Sequence, residues 1–220
     1  MLDMHEDATT WLKFASLCRK SGRITQSEQT LVRLLNDIRR DAEVRGLAPF
    51  DSGNHEPDVM YAWFKHLWAT SVRQEAFAGV QHLAQELANV QLVASASGAQ
   101  LDADRLLLSA KVQLKLGLWR RSLTEELSDG SIASIMSSLK AATECAAGWG
   151  KVWHHWAYFN CEAMVYYSKG DASAAQRFVA PAVTGFFRSI ELAQAAGGSR
   201  GSAGWWVVAD WVCSQAAARC

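Results

Sequence analysis

Apolar positions recur every three to four residues from near the start of this chain to about residue 192, the spacing of helices that each bury one face. Residues 7–20 place Trp11, Phe14, Ala15 and Cys18 on one side, and Ser21-Gly22 ends that run because glycine takes the left-handed cap cheaply. A second helix is expected at once: Thr25 and Glu28 have the spacing of a capping box, and Leu31, Leu34, Leu35 and Ile38 supply its stripe. Residues 46–57 hold glycines, prolines and Asn54 with little periodicity, which marks a loop. Pro57 suits the first turn of a third helix carrying Tyr61, Phe64, Leu67 and Trp68. Further helices are predicted over 75–94, 102–116, 132–146, 151–169 and 172–193, and no strand is needed.

Three breaks share one form, Lys20-Ser-Gly22, Lys115-Leu-Gly117 and Lys169-Gly170: a lysine that complements the end of a helix dipole, then a capping glycine. Short turns imply antiparallel neighbours. The chain is therefore read as all-α, an α-solenoid of antiparallel helix pairs of the tetratricopeptide sort. The strict 34-residue signature is absent and the turn glycines are unevenly spaced, so the repeats are degenerate.

Composition narrows the partners. Of 220 residues half are apolar, enough for a substantial core, and 22 basic residues balance 22 acidic ones. A nucleic-acid binder needs a basic excess or stripe to offset phosphate charge, so no nucleic-acid partner is expected, although a local anion site is compatible with a zero sum. Five cysteines, at 18, 145, 161, 213 and 220, form an odd set with no CxxC pair, which reads as reduced thiols in a cytoplasmic protein. The first residues lack the basic and apolar regions of a signal peptide, and no apolar run approaches 18 residues, so no membrane insertion is expected.

Trp149, Trp153, Trp156 and Asn160 fall at i, i+4, i+7 and i+11, a stripe read first as core packing, with Asn160 or a backbone carbonyl accepting from the indoles. His154 and His155 are neighbours and point about 100° apart on a helix, so they do not chelate one ion together. His154 and Cys161 share a face, but two ligands make a poor zinc site, and no metal site is assigned. No catalytic residue is assigned either: no phosphate-covering glycine loop, histidine–aspartate catalytic loop or Asp-Phe-Gly triplet is present, and the glycines between 197 and 204 lie in a low-complexity stretch.

Three blocks point to a family. Thr10-Trp-Leu-Lys-Phe-Ala-Ser-Leu-Cys-Arg-Lys-Ser-Gly22, Trp149-Gly-Lys-Val-Trp-His-His-Trp-Ala-Tyr-Phe-Asn160 and Ala180-Pro-Ala-Val-Thr-Gly-Phe-Phe-Arg-Ser-Ile190 resemble the FAT region of the target-of-rapamycin kinases, in that family's order and at its separations. The resemblance spans residues 4–192. Tyr167 to Phe178 is a short link where some members carry a long insertion. The tail, 193–220, departs from the family's continuing repeats: a Gly/Ser/Ala linker leads to a tryptophan-rich segment, expected to be a gene-model artefact or truncation, with a docking helix as the alternative.

The resemblance implies a helical scaffold next to a serine/threonine kinase domain, inactive by itself, touching that kinase domain, further FAT repeats and complex subunits, in the cytoplasm or at endomembrane surfaces through those subunits. It also implies a structural ligand, inositol hexakisphosphate. The FAT region holds it among basic side chains, and the matching positions here are Lys13, Lys20, Lys111, Lys115 and Lys151, with Lys111 standing where arginine is common. A further basic residue of that pocket lies upstream of Met1. Spacing alone says less: Lys13 and Lys20 share a helix face, as do Lys111 and Lys115, and solvated lysines complementing helix ends explain both pairs. Two alternatives come from other classes: a free-standing tetratricopeptide-like adapter that grips a partner peptide, and a metal- or thiol-dependent enzyme using His154 and Cys161.

Overall fold

The structure, a computed structural model, describes residues 8–48, 50–51, 54–170 and 172–195. All regular structure among them is helical: α1 (Ala8–Lys20), α2 (Ile24–Arg45), α3 (Glu56–Ala69), α4 (Arg73–Ser97), α5 (Ala103–Leu123), α6 (Asp129–Cys145), α7 (Gly150–Ser168), α8 (Ala172–Gln176) and α9 (Val179–Ala195). The expected start at residue 7 and the tail from 196 on lie outside the described residues. The chain divides into two compact units that adjoin in sequence at Leu116 and Gly117.

In the first unit α1 packs on α2, α2 on α3 and α3 on α4, with short links at 21–23 and 70–72 and the longer loop at 46–55. The predicted stripes form its core: Ala15, Leu31, Leu34 and Ile38 are buried with Val59, and Trp11, Leu35, Ala62 and Trp63 pack around them. Phe14, assigned to the buried face, is 41% exposed. Gly22 turns the chain with a φ of 80°, and the Arg23 amide reaches back to the Cys18 carbonyl at 2.8 Å. That tight return sets the start of α2 at Ile24 with Arg23 as its cap residue, so the Thr25 capping box does not form; Thr25 already lies inside the helix. Pro57 sits in the first turn of α3 as expected. The loop before it is held by side chains: Asn54 donates to the Ala48 carbonyl at 3.0 Å and accepts from the Glu56 amide at 2.9 Å. Arg105, buried in α5, donates to the Asp51 and Asn54 carbonyls at 3.1 and 3.0 Å.

In the second unit α7 is central, packing on α6, α8 and α9. Ser128 and Ser131 form a capping box that opens α6 at Asp129, ahead of the predicted start. Two expectations need correction here. Gly117 does not end a helix, because α5 runs through it; the residue is buried, and a Cβ there would stand 3.0 Å from Leu139 Cδ2, so its small size serves packing against α6. The single helix predicted over 172–193 is two, broken at Arg177-Phe178, with Pro181 taken into the first turn of α9, where a missing N–H costs nothing. Phe178 is buried and stacks on Tyr167 with ring centroids 5.3 Å apart, which anchors the break. Gly170, read as a capping glycine, is not among the described residues with positive φ.

The tryptophan stripe of α7 packs as core edge. Trp149, Trp153 and Trp156 are half-buried over a buried Asn160. The Trp153 indole donates to the Ala147 carbonyl at 2.8 Å, whereas Asn160 is itself a donor, to the Trp156 carbonyl at 2.8 Å. No described helix is long and apolar enough to cross a membrane.

Candidate anion site

Helix periodicity on three elements of the first unit builds one cationic cleft. On α1, Lys13 and Lys20 lie seven residues apart on one face, with Arg19 beside Lys20 in the last turn. On α3, Tyr61 and Lys65 are one turn apart, as are Lys111 and Lys115 on α5. Lys13, Arg19, Lys65 and Lys111, together with Asp58 and Tyr61, line a cleft of about 310 Å³. Tyr61 forms its buried wall, and its hydroxyl donates to the Lys111 carbonyl at 3.1 Å, tying α3 to α5.

Electrostatics tie the remaining cations to the same place. Burial, then the like charges of Arg19, Lys115, Lys111 and Lys20 in that order, bring the Lys65 ammonium down to about 8. Four cations from three helices thus share the cleft with Tyr61, and the charges of Lys20 and Lys115 reach Lys65. Among the described residues, no ion pair joins Lys13, Arg19, Lys20, Lys65 or Lys111 to a carboxylate. Burial raises the carboxyl of Asp58, the acid that lines the cleft, while Arg105, His55 and Lys111 pull it back. The cleft lining therefore sets the cations Lys13, Arg19, Lys65 and Lys111 against the one acid Asp58, a charge balance that suits an anion.

Of the five lysines that the family resemblance implied, Lys13 and Lys111 line the cleft, while Lys20 and Lys115 act on Lys65 by charge. Lys151 belongs to the second unit, exposed in the first turn of α7. Sequence reasoning missed Arg19 and Lys65. The signal for Lys65 was present: a lone lysine one turn after Tyr61 in a helix whose other assigned positions were apolar.

The other candidate chemistry is weaker. His154 packs edge-on against His155 and Phe186, with centroids 5.5 and 5.8 Å away, and burial lowers its pKa. Burial pushes the Cys161 thiol up to about 11, which opposes a nucleophilic role. Among the described residues no three His, Cys, Asp or Glu side chains group as metal ligands.

A family profile described as the FAT domain matches residues 1–200. The chain is 42% identical over 201 residues to the serine/threonine-protein kinase TOR of Arabidopsis thaliana, a stretch covering 88% of this chain and 8% of that kinase. It is 31% identical over 209 residues to the serine/threonine-protein kinase mTor of Drosophila melanogaster, covering 86% of this chain and 8% of the kinase. Among solved structures it is similar to BtubC (BKLC) from P. vanneervenii, with a TM-score of 0.52 at 13% identity over 96% of this chain and 82% of that one. A putative kinesin light chain with nearly identical TPR-like repeats from Podosopora anserina gives a TM-score of 0.51 at 10% identity, over 98% and 99% of the two chains. At such identities the two structures speak for the helix-pair fold alone.

Proposed function

Because this chain belongs to the FAT-domain family and shares that domain with the TOR serine/threonine kinases, we propose that it serves as a helical scaffold bracing a kinase domain, with inositol hexakisphosphate held in the cleft as a structural ligand. It supplies no catalysis of its own in this reading; it supports TOR signalling in the cytoplasm, through contacts with the kinase domain, neighbouring FAT repeats and the subunits of the complex.

The observation that carries the ligand is a cleft lined by Lys13, Arg19, Lys65 and Lys111, none of them ion-paired to a carboxylate among the described residues. Like charges repel by roughly 1 kcal/mol per pair at 4 Å even in water, whereas a charge-assisted hydrogen bond to phosphate returns about 1.5–3 kcal/mol. An anion with many phosphates converts that repulsion into attraction at several points at once. Lysine suits this as a compact point charge with three donors, and Arg19 adds a planar fork. The ligand then works as an internal strut between α1, α3 and α5, stabilising the folded unit by mass action.

The test is thermal unfolding of wild type and of Lys111→Glu/Lys115→Glu, with and without inositol hexakisphosphate. At a hundredfold excess over Kd, ligand binding stabilises by about 2.7 kcal/mol, or roughly 5–10 °C for a chain of this size. The double variant loses that increment. The same increment in both proteins refutes the assignment.

A further inference from the structure

Within the cleft, Lys65 is a cation whose charge is opposed by burial and by like-charged neighbours. Its nitrogen stands 4.1 Å from the centroid of the Tyr61 ring, whose face favours the ammonium, so the loss of charge comes from burial and the neighbouring cations against that contact. The charges that reach it share its sign: Arg19 and Lys20 from α1, Lys115 and Lys111 from α5. Neither of two nearby acids is among the charges that reach Lys65. Asp58, on the same helix, interacts with Arg105, His55 and Lys111, and Glu28 of α2 acts on His66. On α4, His82 and Glu86 face one another at 3.9 Å and line a separate cleft with Phe64.

We propose that Lys65 couples occupancy of the cleft to proton uptake: partly neutral in the empty protein, it takes a proton when a polyanion binds, so that affinity falls as pH rises. The proposal rests on reading the cleft as a polyphosphate site and adds its regulation. The step is Lys65–NH₂ plus H⁺ giving Lys65–NH₃⁺, with the proton drawn from buffer. A bound polyanion reverses the sign of the surrounding field and restores the ammonium toward its ordinary range above 10. The direction follows: with the empty group at about 8, the lysine's contribution to binding is fully present below that pH, declines above it, and is lost as pH climbs through the bound group's range above 10. Burial contributes most to where the transition lies, and Arg19 is the largest of the charge influences on it.

Isothermal titration calorimetry of the full 220-residue chain, in buffers of different ionisation enthalpy, counts the protons. The probe is myo-inositol hexakissulfate, whose strongly acidic esters carry no proton near neutral pH; inositol hexakisphosphate is run beside it. Expected uptake is about 0.1 proton at pH 7, about 0.5 at pH 8 and about 0.9 at pH 9, with affinity falling about fivefold between the last two. Lys65→Arg, charged throughout, binds with near-zero uptake and a flat profile. Arg19→Gln lowers the uptake at pH 8. With hexakisphosphate, the difference between wild type and Lys65→Arg carries the same count, since the ligand's own protons cancel. Binding without buffer-dependent heat at pH 8, or undiminished uptake in Lys65→Arg, overturns the coupling and leaves the site standing. No binding of either probe overturns the site, and the coupling with it.

Discussion

Replacing Arg105 by methionine tests what holds the cleft's framework together. The guanidinium is buried, and one Nη2 donates to two backbone carbonyls, Asp51 at 3.1 Å and Asn54 at 3.0 Å, across more than fifty residues of sequence. It thereby pins the segment entering α3 to α5, the two helices that carry Lys65 and Lys111. A hydrogen bond from a charged donor is worth about 1.5–3 kcal/mol, so the two lost bonds cost about 3–6 kcal/mol. Part of that returns, because among the described residues Nη1 is buried with no acceptor, and removing a buried unsatisfied group relieves about 1–3 kcal/mol. The net loss is roughly 2–3 kcal/mol, a large share of a domain's usual 5–15 kcal/mol. Urea unfolding followed by circular dichroism should show a midpoint lowered by about 1 M or more, at a typical slope of 1–3 kcal/mol per molar. Arg105→Lys, which keeps the charge but loses the fork, should fall between. A methionine variant within about 0.5 kcal/mol of wild type would show that the clamp contributes nothing net.

Two further outcomes follow from packing in the second unit. At Gly185 on α9 a Cβ would stand 2.9 Å from Ala157 Cβ and 3.2 Å from the Trp153 carbonyl oxygen; Gly185→Ala should therefore destabilise by about 1 kcal/mol, overpacking of about 1–3 outweighing the helix-propensity gain of about 1, and a raised melting temperature would refute the close approach. With its thiol held at about 11 by burial, Cys161 should react at pH 8 with a thiol reagent at least about a hundredfold slower than an ordinary cysteine, and mass-mapped labelling as fast as at half-buried Cys145 would overturn that.

Helix existence was legible in the sequence because each amphipathic stripe reports burial on its own helix. Leu31, Leu34 and Ile38 needed no tertiary information to be placed inside. Boundaries failed where a tertiary contact overruled a local signal. Gly117 carries the signature of a helix stop, yet the close face of Leu139 rewards a residue without a side chain, so the helix continues through it. Thr25 and Glu28 had the spacing of a cap, but the return of Arg23 to Cys18 starts α2 one residue before Thr25. The break at Arg177-Phe178 depends on the face of Tyr167: Phe178 stacks on it, and the Arg177 guanidinium lies 4.7 Å above it. Only the fold supplies that surface.

The site divides along the same line. Lys13 with Lys20, and Lys111 with Lys115, are same-face pairs that a helix wheel displays, but a wheel cannot tell a solvated pair from a converging one. Convergence is a property of α1, α3 and α5 together, and it is what admits Arg19 and Lys65. Charges kept for solubility alone are favoured apart, with both signs mixed. Here cations from three helices surround a buried tyrosine, the lining acid Asp58 is drawn toward Arg105, His55 and Lys111, and one lysine is pushed toward its neutral form. Such an arrangement costs stability, and the proposed occupant, a compact anion bearing several charges, would relieve it. If the cleft holds a polyphosphate as proposed, the depressed ammonium of Lys65 and that affinity share one physical origin, so Lys65→Arg, charged at every pH, should lose the proton uptake and the pH dependence of binding.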